Sequence, residues 1–389
     1  MAEQPPIRVG VVGLGLIAQG VHLPNLATLR DTYQVVHVCD VSIARAQAVA
    51  DGLPGRVRTS ADWTDLVADP DVDAVFILTP GSHGDVAIAA LNAGKHVMSE
   101  KPLAYSIAEA RRIEDAGRAN DRVVQVGYMK MHDPMIKRTR QEMGKLGDLR
   151  VIRVTVLHPT DECQFEHVSL LPSVSPDGSL IERGLRYSAD RLLEALADSA
   201  PGVTALYENV LLGSVVHEFA LIRALGLDVP TAFDFVSVDP SLSDPAPDGP
   251  PRILAIGPLS NGAQLQLSWN WVPDYPEYTE EVAVFGSAGR IQLAMPGPYL
   301  PAHRAFLRVQ RLSGDERLDG EYFSSHKTAF VAELEAFARS VRDGEPVKSD
   351  VAGSIADVAG LQRLAIAAGT REGLHAVGEV ANNPVGISS

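Results

Sequence analysis

A histidine and a glutamate stand side by side in a strongly apolar stretch, and both types could do chemistry. His217 and Glu218 lie within the run LLGSVVHEFALIRALG. Burying either side chain costs free energy unless a polar partner satisfies it. An imidazole can also take up or release a proton near neutral pH, as a general acid or base must. The stretch therefore indicates either satisfied core residues or a proton-transfer site.

Helical spacing bears on these two possibilities. At 3.6 residues per turn, Glu218 lies about 100° round the helix from His217. It could pair with Arg223 or Lys130, or line the edge of a pocket. Small residues share the face of His217 and leave room for another group, and the opposite face is predicted to be core. The first set is Gly213, Ala220 and Ala224, flanked by Ser214, and the second is Val215, Phe219 and Ile222.

A second candidate site lies near the start of the chain. In VGVVGLGLIAQG, Gly13, Gly15 and Ala18 have the GxGxxG/A spacing between an apolar run and a helical pattern. Such glycines permit a tight turn and a close approach of backbone to a pyrophosphate, and the small third residue lets the helix pack closely. Backbone N–H groups of Leu16 and Ile17 would then meet the phosphates. The alternative is a plain tight turn.

Asp40 ends the second strand pattern, about 20 residues beyond the glycine motif. A carboxylate in this position accepts hydrogen bonds from the adenosine ribose hydroxyls and repels a 2′-phosphate. It therefore favours NAD over NADP, although Arg45 nearby is a modest signal for NADP. The alternative role of Asp40 is to cap the following helix.

The elements around this motif alternate between short apolar runs and helical patterns. From Ile7 to Tyr128, five apolar runs alternate with four helical segments. This alternation predicts parallel βαβ units and a doubly wound sheet. We expect residues 1–128 to form an NAD-binding Rossmann domain.

The pattern changes beyond Tyr128. A strand pattern ends at His158, residues 160–198 are polar and are predicted to be irregular, and a helical region follows. Five strand-like runs between Thr231 and Ala294 lack intervening helices, which predicts a mostly antiparallel open sheet. We expect residues 129–389 to form an α+β domain, with two C-terminal helices that could pack back on the first domain.

Bulk properties exclude some classes of function. The 389 residues carry a formal net charge of -15 without a basic run, which argues against nucleic-acid binding. Cys39 and Cys163 lack CxxC spacing, which argues against a disulfide framework or a structural zinc site. No signal-peptide pattern and no bilayer-spanning apolar run is evident. We therefore expect a cytoplasmic protein that binds neither nucleic acid nor membrane.

The segment HGDVAIAALNAGKHVMSEKPLAYSIAEA carries the most specific signal in the chain. With GLGLIA before it and VGYMKMHDP after it, the sequence resembles the Gfo/Idh/MocA family, whose members include glucose–fructose oxidoreductase and inositol dehydrogenase. FVAELEAFARSVRDGEP is similar to the family's C-terminal region. The resemblance is good over the first 150 residues, reasonable over the last 70 and loose between them.

The resemblance implies roles for several residues of the first domain. Glu100, Lys101 and Pro102 would lie beside the nicotinamide, with the Lys101 ammonium near both the cofactor and the substrate hydroxyl. Lys101 is thus a candidate catalytic residue. Thr79 and Pro80 would border the adenosine side, while His83 would cap the next helix near the cofactor or serve only as a structural cap.

The resemblance also bears on the second domain. The family's proton-transfer histidine belongs to a DxxxH pattern, which places His217 as general acid or base and Gly213 where the aspartate is expected. Tyr128, Lys130, His158 and Glu218 are candidate substrate-pocket residues. The family often has a basic pair before an aromatic residue after Tyr128, and this chain departs from that pattern with Lys130, Met131 and His132.

The polar insert HPTDECQFEHVSLLP could in principle hold a metal, because it contains histidines and carboxylates. A polar loop over the substrate cleft is the favoured interpretation. The predicted site therefore contains no metal.

These observations predict an NAD(P)-dependent oxidoreductase acting on a secondary alcohol or ketone of a sugar, cyclitol or related polyol. Hydride transfer from a carbinol requires removal of the hydroxyl proton, the task expected of Lys101 and His217. One alternative is a redox-neutral epimerase, lyase or glycosidase with transient oxidation, and another is a non-catalytic cofactor-sensing regulator. As in family members, we expect a homodimer or homotetramer formed through the C-terminal sheet.

Overall fold

The computed structural model describes residues 4–160, 162–244, 251–300 and 304–382. The chain forms two compact units. The first takes residues up to Tyr128 together with Val168–Ala195 and Glu333–Ile355. The second takes Met129–His167, Leu196–Ala332 and the residues from Ala356 onward. Two segments of the first unit thus come from the part of the chain that the sequence analysis assigned to the second domain.

A six-stranded sheet forms the centre of the first unit. Its strand order is β3-β2-β1-β4-β5-β6, and every neighbouring pair is parallel. The predicted doubly wound sheet is confirmed, and the order reverses direction between β1 and β4, where such sheets bind ligands. The strands are β1 (Ile7–Val12), β2 (Tyr33–Cys39), β3 (Arg58–Ser60), β4 (Ala74–Ile77), β5 (His96–Ser99) and β6 (Val124–Val126).

Helices follow the strands of this sheet. Ser42, Asp62 and Ser106 begin α2, α3 and α5 as N-caps, each accepting a backbone N–H. The β3–α3 pair was not anticipated, because three and five residues are too few to show a period. The helices are a π-helical turn (Ala18–His22), α1 (Leu23–Thr28), α2 (Ile43–Asp51), α3 (Trp63–Val67), α4 (Gly84–Asn92) and α5 (Ile107–Ala119).

The second unit is built on an eight-stranded sheet of order β14-β13-β12-β11-β7-β10-β9-β8. Its pairs are antiparallel except β7 with β10. The predicted mostly antiparallel sheet is confirmed. Its strands are β7 (Leu149–His158), β8 (Phe235–Asp239), β9 (Arg252–Pro258), β10 (Gln264–Trp271), β11 (Thr279–Gly286), β12 (Gly289–Met295), β13 (Phe306–Ser313) and β14 (Glu316–Phe323).

The remaining helices come from the second half of the chain and from the turn after β6. They are a 3-10 turn (Met129–His132), α6 (Pro134–Met143), α7 (Glu162–Phe165), α8 (Gly178–Leu196), α9 (Pro201–Ala205), a π-helix (Leu206–Val215), α10 (Val216–Ala224), α11 (Ala329–Asp343), α12 (Val351–Arg371) and a 3-10 turn (Glu379–Asn382). Asp133 caps α6 and accepts the N–H of Met135.

Two sequence-based expectations were wrong. Residues 160–198 were predicted to be irregular, but α8 occupies 19 of them. Its large apolar residues Ile181, Leu185 and Leu193 are exposed, so their spacing does not mark a core-facing stripe. The strands β13 and β14 were also not predicted, because many of their residues are charged or exposed.

The core of the first unit joins its sheet to the helix α11. Phe76 lies edge-on to Tyr33 and to Phe337, with ring centroids 6.0 and 5.6 Å apart. The Tyr33 hydroxyl donates to the Leu334 carbonyl at 2.5 Å. Aromatic pairs in this geometry add about 0.5–1.5 kcal/mol beyond their buried area. These contacts fix Glu333–Ile355 to the parallel sheet.

Two helical stretches, Pro201–Ala224 and Val351–Arg371, are long and apolar enough to cross a membrane by length and composition. Their most apolar windows are 61% and 67% buried inside the protein. Helices at the core of a globular unit have the same character.

The most unusual buried group of the first unit is Glu333 on α11. Its side chain is fully buried, and neither carboxyl oxygen has a hydrogen-bond partner among the residues that the structure describes. Burial and the nearby charge of Glu100 raise the pKa of Glu333 well above its ordinary value. The fold therefore favours the protonated form of Glu333.

This burial predicts a pH-dependent stability. The folded protein keeps the Glu333 proton at pH values where the unfolded chain releases it. The free energy of unfolding therefore falls as pH rises above the ordinary glutamate range. The slope is at most about 1.4 kcal/mol per pH unit. Glu333→Gln removes this dependence. We expect the variant to gain stability over the wild type in urea unfolding at pH 8 and to lose that gain at pH 5.

Glu335→Gln is the matched control, since Glu335 lies on the same helix and is only half-buried. A constant difference between Glu333→Gln and wild type at both pH values would show that Glu333 does not hold a proton in the folded state.

Candidate cofactor and active site

The turn after β1 packs tightly against protein backbone at Gly13 and has free space beside Gly15. Gly13 has a φ of +89°, and a Cβ there would lie 2.8 Å from the backbone of both Leu78 and Thr79. A Cβ at Gly15 would meet no atom within 4 Å, and Ala18 is fully buried. This is the arrangement that lets a backbone turn approach a phosphate group.

Leu16 and Ile17 form the first helical residues after this turn and are half-buried. Helix N-termini present unpaired N–H groups and a partial positive charge. A phosphate contact through the backbone of Leu16 and Ile17 stays a prediction.

Asp40 connects the turns that follow β1 and β2. Its carboxylate accepts the N–H of Leu14 at 3.0 Å and the N–H of Ser42 at 2.9 Å. Arg45 Nη1 lies 3.4 Å from Asp40 Oδ2, so its charge is directed toward this carboxylate. Asp40 is 6% exposed. The side chain is thus fixed at the end of β2, where a ribose-binding carboxylate belongs.

His83 joins the loop after β4 to the loop after β5. One ring nitrogen lies 2.7 Å from the Thr79 carbonyl and the other 2.9 Å from the Glu100 carbonyl. Its side chain makes no capping hydrogen bond to α4. Burial lowers the pKa of His83. His83 therefore positions the loop that carries Thr79 and Pro80.

Each carboxylate oxygen of Glu100, in the loop after β5, has a hydrogen-bond partner. His22 Nε2, from the π-helical turn after β1, lies 2.8 Å from Glu100 Oε1. The backbone N–H of Lys101 donates to Glu100 Oε2 at 3.1 Å. Burial opposes ionisation, but the hydrogen bond with His22 and the charge of Lys101 outweigh it and lower the pKa of Glu100. An ionised Glu100 thereby fixes the backbone that carries Lys101.

The first unit therefore brings the sequence-predicted cofactor residues to one edge of one sheet. They come from the loops after β1, β2, β4 and β5. The open space at Gly15 and the fixed Asp40 carboxylate fit the phosphates and the ribose of a dinucleotide.

The second unit contains a buried charged cluster. Lys130 Nζ forms an ion pair with Glu280 and lies 3.7 Å from Glu218 Oε1. The Tyr278 hydroxyl donates to Glu280 Oε2 at 2.6 Å. Lys130 is 4% exposed and both glutamates are fully or almost fully buried. Of the two partners considered for Glu218, the structure places Lys130 nearby, while Arg223 pairs with Asp357 at 2.6 Å.

Aromatic rings surround His158 beside this cluster. His158 stacks on Trp271 with centroids 4.8 Å apart and lies edge-on to Tyr278 at 5.3 Å. Trp269 Nε1 donates to the Ser214 hydroxyl at 2.8 Å. Burial, together with Glu280 and Glu218, raises the pKa of Tyr278 well above its ordinary value. Tyr278 therefore remains a hydrogen-bond donor at any moderate pH.

His217 lies near the start of α10, directly after the π-helix. It is half-buried, and the predicted core residues Val215, Phe219 and Ile222 are fully buried. A π-helix has more residues per turn than an α-helix, so the α-helical spacing assumed between Gly213 and His217 does not apply across this junction.

A cavity of about 280 Å³ lies beside Lys130 in the second unit. Its other lining residues include Met129 and Asp133, and loops at 295–300 and 324–330. This volume is at the lower end of those that hold small-molecule ligands.

Comparison with known proteins agrees with this geometry. Residues 7–128 match the Gfo/Idh/MocA family, described as an oxidoreductase family with an NAD-binding Rossmann fold. The inositol 2-dehydrogenase of Salmonella typhimurium is 41% identical over 129 residues, which are 33% of this chain and 38% of that protein. The inositol 2-dehydrogenase of Acidothermus cellulolyticus is 28% identical over 356 residues, 88% of this chain and 87% of that protein.

Residues 7–128 of this chain are thus similar to the Gfo/Idh/MocA family. The part matched to the Salmonella relative spans well under half of that relative's length.

Solved structures extend the likeness in fold over most of the chain. UDP-N-acetylglucosamine 3-dehydrogenase from Acidithiobacillus ferrooxidans has a TM-score of 0.65 at 21% identity, covering 92% of this chain and 97% of that one. An oxidoreductase from Thermotoga maritima has a TM-score of 0.69 at 18% identity, covering 94% and 97%. Biliverdin reductase from Synechocystis, in complex with biliverdin and NADP+, has a TM-score of 0.65 at 19% identity, covering 93% and 99%.

Tyr128 has a different setting from the other predicted pocket residues. It is fully buried in the first unit, and its hydroxyl donates to Ser354 Oγ at 3.3 Å. Lys130, His158 and Glu218 all belong to the second unit.

Sequence reasoning missed the residues that complete the second-unit cluster. Glu280 shares its strand face with Val282 and Val284, and all three are buried. A charged residue at an inward position of an alternating strand is a signal for a buried partner, and it could have pointed to Lys130. Trp269 and Trp271 were expected only as strand residues, and Tyr278 was given no role.

The polar insert after His158 is only partly described. Asp161 lies outside the described residues, as do the side chains of Glu162 and Cys163. Glu166 and His167 are exposed. In the part of the chain that the structure describes, no group of three or more His, Cys, Asp or Glu residues could hold a metal ion.

The glycine turn predicts two separable effects. Gly13→Ala forces a Cβ into the Leu78–Thr79 backbone at a left-handed φ, and we expect it to destabilise the fold by about 1–3 kcal/mol. Gly15→Ala meets no protein atom, so its thermal midpoint should stay close to that of the wild type while its affinity for a dinucleotide falls. Calorimetry and fluorescence titration with NADH measure the two quantities. Unchanged nucleotide affinity in folded Gly15→Ala would contradict a phosphate site at this turn.

Proposed function

We propose that this protein is an NAD(P)-dependent oxidoreductase that transfers a hydride between the nicotinamide and a secondary alcohol or ketone of a cyclitol, sugar or related polyol. The observation that carries the proposal is one constellation in the first unit. The open turn at Gly15, the fixed carboxylate of Asp40 and the loop of Glu100 and Lys101 lie at the carboxyl edge of one parallel sheet.

We propose Lys101 and His217 as the proton-handling residues. A bound nicotinamide supplies the hydride chemistry, and the protein has to orient the carbinol and move its hydroxyl proton. Glu100 supports Lys101, because its ionised carboxylate accepts the Lys101 backbone N–H. An imidazole such as that of His217 exchanges a proton near neutral pH.

The names of the relatives support the substrate class. Several curated relatives are inositol 2-dehydrogenases, and a structural neighbour acts on a UDP-linked sugar by its name. The polar and aromatic groups of the second unit suit such a ligand, since Lys130, Glu280 and Tyr278 donate and accept hydrogen bonds and Trp271 offers a flat apolar face.

A panel of cyclitols and sugars, assayed for formation of reduced nicotinamide by its absorbance, tests this function. We expect Lys101→Ala and His217→Ala each to lower kcat by about 10²–10⁴-fold on the best substrate, because each removes a group that handles the proton. Lys137→Ala, an exposed position on α6, is the control and should leave kcat unchanged. Full activity in either site variant would remove that residue from the mechanism.

Gly213 favours a second candidate, a redox-neutral reaction in which the hydride returns to the product. The family pattern places an aspartate there, and this chain has a glycine with open space around it. Conversion of a substrate without net accumulation of reduced nicotinamide would select this candidate over the dehydrogenase.

We propose NAD as the preferred cofactor, on the strength of Asp40. Its negative charge at the end of β2 repels a 2′-phosphate, and Arg45 is directed toward Asp40. Asp40→Asn keeps a carbonyl oxygen for the Leu14 N–H and removes the charge. We expect its ratio of NADPH to NADH affinity to rise about 10-fold or more.

Asp51→Asn removes an equal charge from the exposed end of α2 and should leave the ratio unchanged. A wild-type protein that binds NADPH more tightly than NADH would overturn the assignment.

A further inference from the structure

One segment of the first unit crosses the edge of the sheet that carries the cofactor residues. We call Val168–Ala195 the strap, and it consists of an extended part up to Asp177 followed by most of α8. By sequence these residues were expected in the second domain, where the family resemblance is loosest.

The extended half of the strap lies against the turns after β1 and β2. Leu171 and Gln19 exchange two hydrogen bonds: the Leu171 N–H donates to Oε1 at 2.8 Å, and Gln19 Nε2 donates to the Leu171 carbonyl at 3.3 Å. The Ser42 hydroxyl donates to the Val174 carbonyl at 2.5 Å and accepts the Val174 N–H at 3.0 Å. The backbone N–H of Ser42 also donates to the carboxylate of Asp40. Ser42 therefore links the strap directly to the carboxylate proposed to bind the ribose.

The helical half continues across the turns after β3 and β4. The Arg183 guanidinium donates to both carboxylate oxygens of Asp62 at 2.8 Å, and the Ser188 hydroxyl accepts the Ser82 N–H at 3.0 Å. At the end of the strap, Glu194 accepts the hydroxyl of Ser106 after β5 at 2.6 Å. The strap thus contacts the segment that follows each of the first five strands.

Two glycines allow the strap to lie close to the loop after β4. A Cβ at Gly81 would lie 2.7 Å from Ser188 Oγ, and one at Gly84 would lie 2.7 Å from the Tyr187 hydroxyl and 2.2 Å from Glu109 Oε1. Gly81 also has a φ of +91°. A side chain at Gly81 or Gly84 would therefore lie within 3 Å of a side chain of α8.

The attachment of the strap is polar rather than apolar. Its large apolar side chains Leu171, Val174, Ile181, Leu185 and Leu193 are exposed. Elements held mainly by hydrogen bonds and ion pairs, with little buried apolar surface, open at lower free energy than the core of the same unit. The strap can thus open without unfolding the parallel sheet.

Ligands of doubly wound sheets bind outside the carboxyl ends of the strands, the edge that the strap crosses. We propose that the strap is a binding element for the adenine dinucleotide, which encloses its adenosine half beside Asp40 and slows its release. This inference rests on the proposed function. The strap adds recognition groups to the cofactor site and makes the bound dinucleotide a long-lived part of the protein.

The test is the rate of NADH release from the full-length protein, measured by displacement with excess NAD in stopped-flow fluorescence. Arg183→Ala combined with Ser188→Ala removes two attachments, and we expect release to accelerate about 10-fold while association changes less. Arg186→Ala is the control, because Arg186 lies on the exposed side of α8 and pairs only with the exposed Glu182 among the contacts that the structure describes. The thermal midpoint confirms that each variant is folded.

Hydrogen exchange gives a second readout that does not depend on activity. We expect the backbone amides of residues 178–195 to exchange more slowly in the presence of NADH. Equal release rates in the double variant and wild type, or tighter NADH binding in the double variant, would overturn the strap as a binding element. Wild-type protein that binds neither NADH nor NADPH would overturn the proposed function together with it.

Discussion

The ionised carboxylate of Glu100 is the interaction on which the candidate cofactor site depends. It receives His22 from the turn after β1 and the backbone N–H of Lys101 after β5, while its own carbonyl lies against His83 from the loop after β4. A buried carboxylate is stable only with such partners, because its desolvation otherwise forces it to take up a proton. The charge of Glu100 therefore joins the loops after β1 and β5, and its backbone carbonyl joins them to the loop after β4. Among the described residues no such donor reaches Glu333, and burial together with the charge of Glu100 raises its pKa instead.

The first unit could be predicted from sequence because its signals are local. The strands are short apolar runs, the glycines of the turn have a fixed spacing, and Asp40 follows at a set distance. The strap could not be predicted, since its helix places Ile181 and Leu185 outward and attaches through Arg183 and Ser188. A polar attachment leaves no hydrophobic period, and tertiary contacts alone decide where such a segment lies.

The candidate site of the second unit was predicted in part, for a related reason. His217, Lys130 and His158 could be named from the sequence, whereas Glu280 lies in a strand that looks ordinary by composition and Tyr278 comes just before that strand. Pairing across about 150 residues of chain cannot be read from either segment alone. The π-helix before α10 is a further example: it arises from the local backbone and changes the spacing between Gly213 and His217.

The buried cluster and the strap represent two different uses of polar contacts. Lys130 and Glu280 are almost fully buried, and removing one member of such a pair costs roughly 3–5 kcal/mol because the other charge remains without compensation. That cluster is therefore a rigid part of the second unit. The ion pair of Arg183 with Asp62 is partly exposed, and pairs of that kind contribute only about 0–1 kcal/mol. The buried Lys130–Glu280 pair fixes the side chains of the candidate substrate pocket. Partly exposed pairs such as Arg183–Asp62 suit the strap, which has to detach and reattach each time a cofactor enters or leaves.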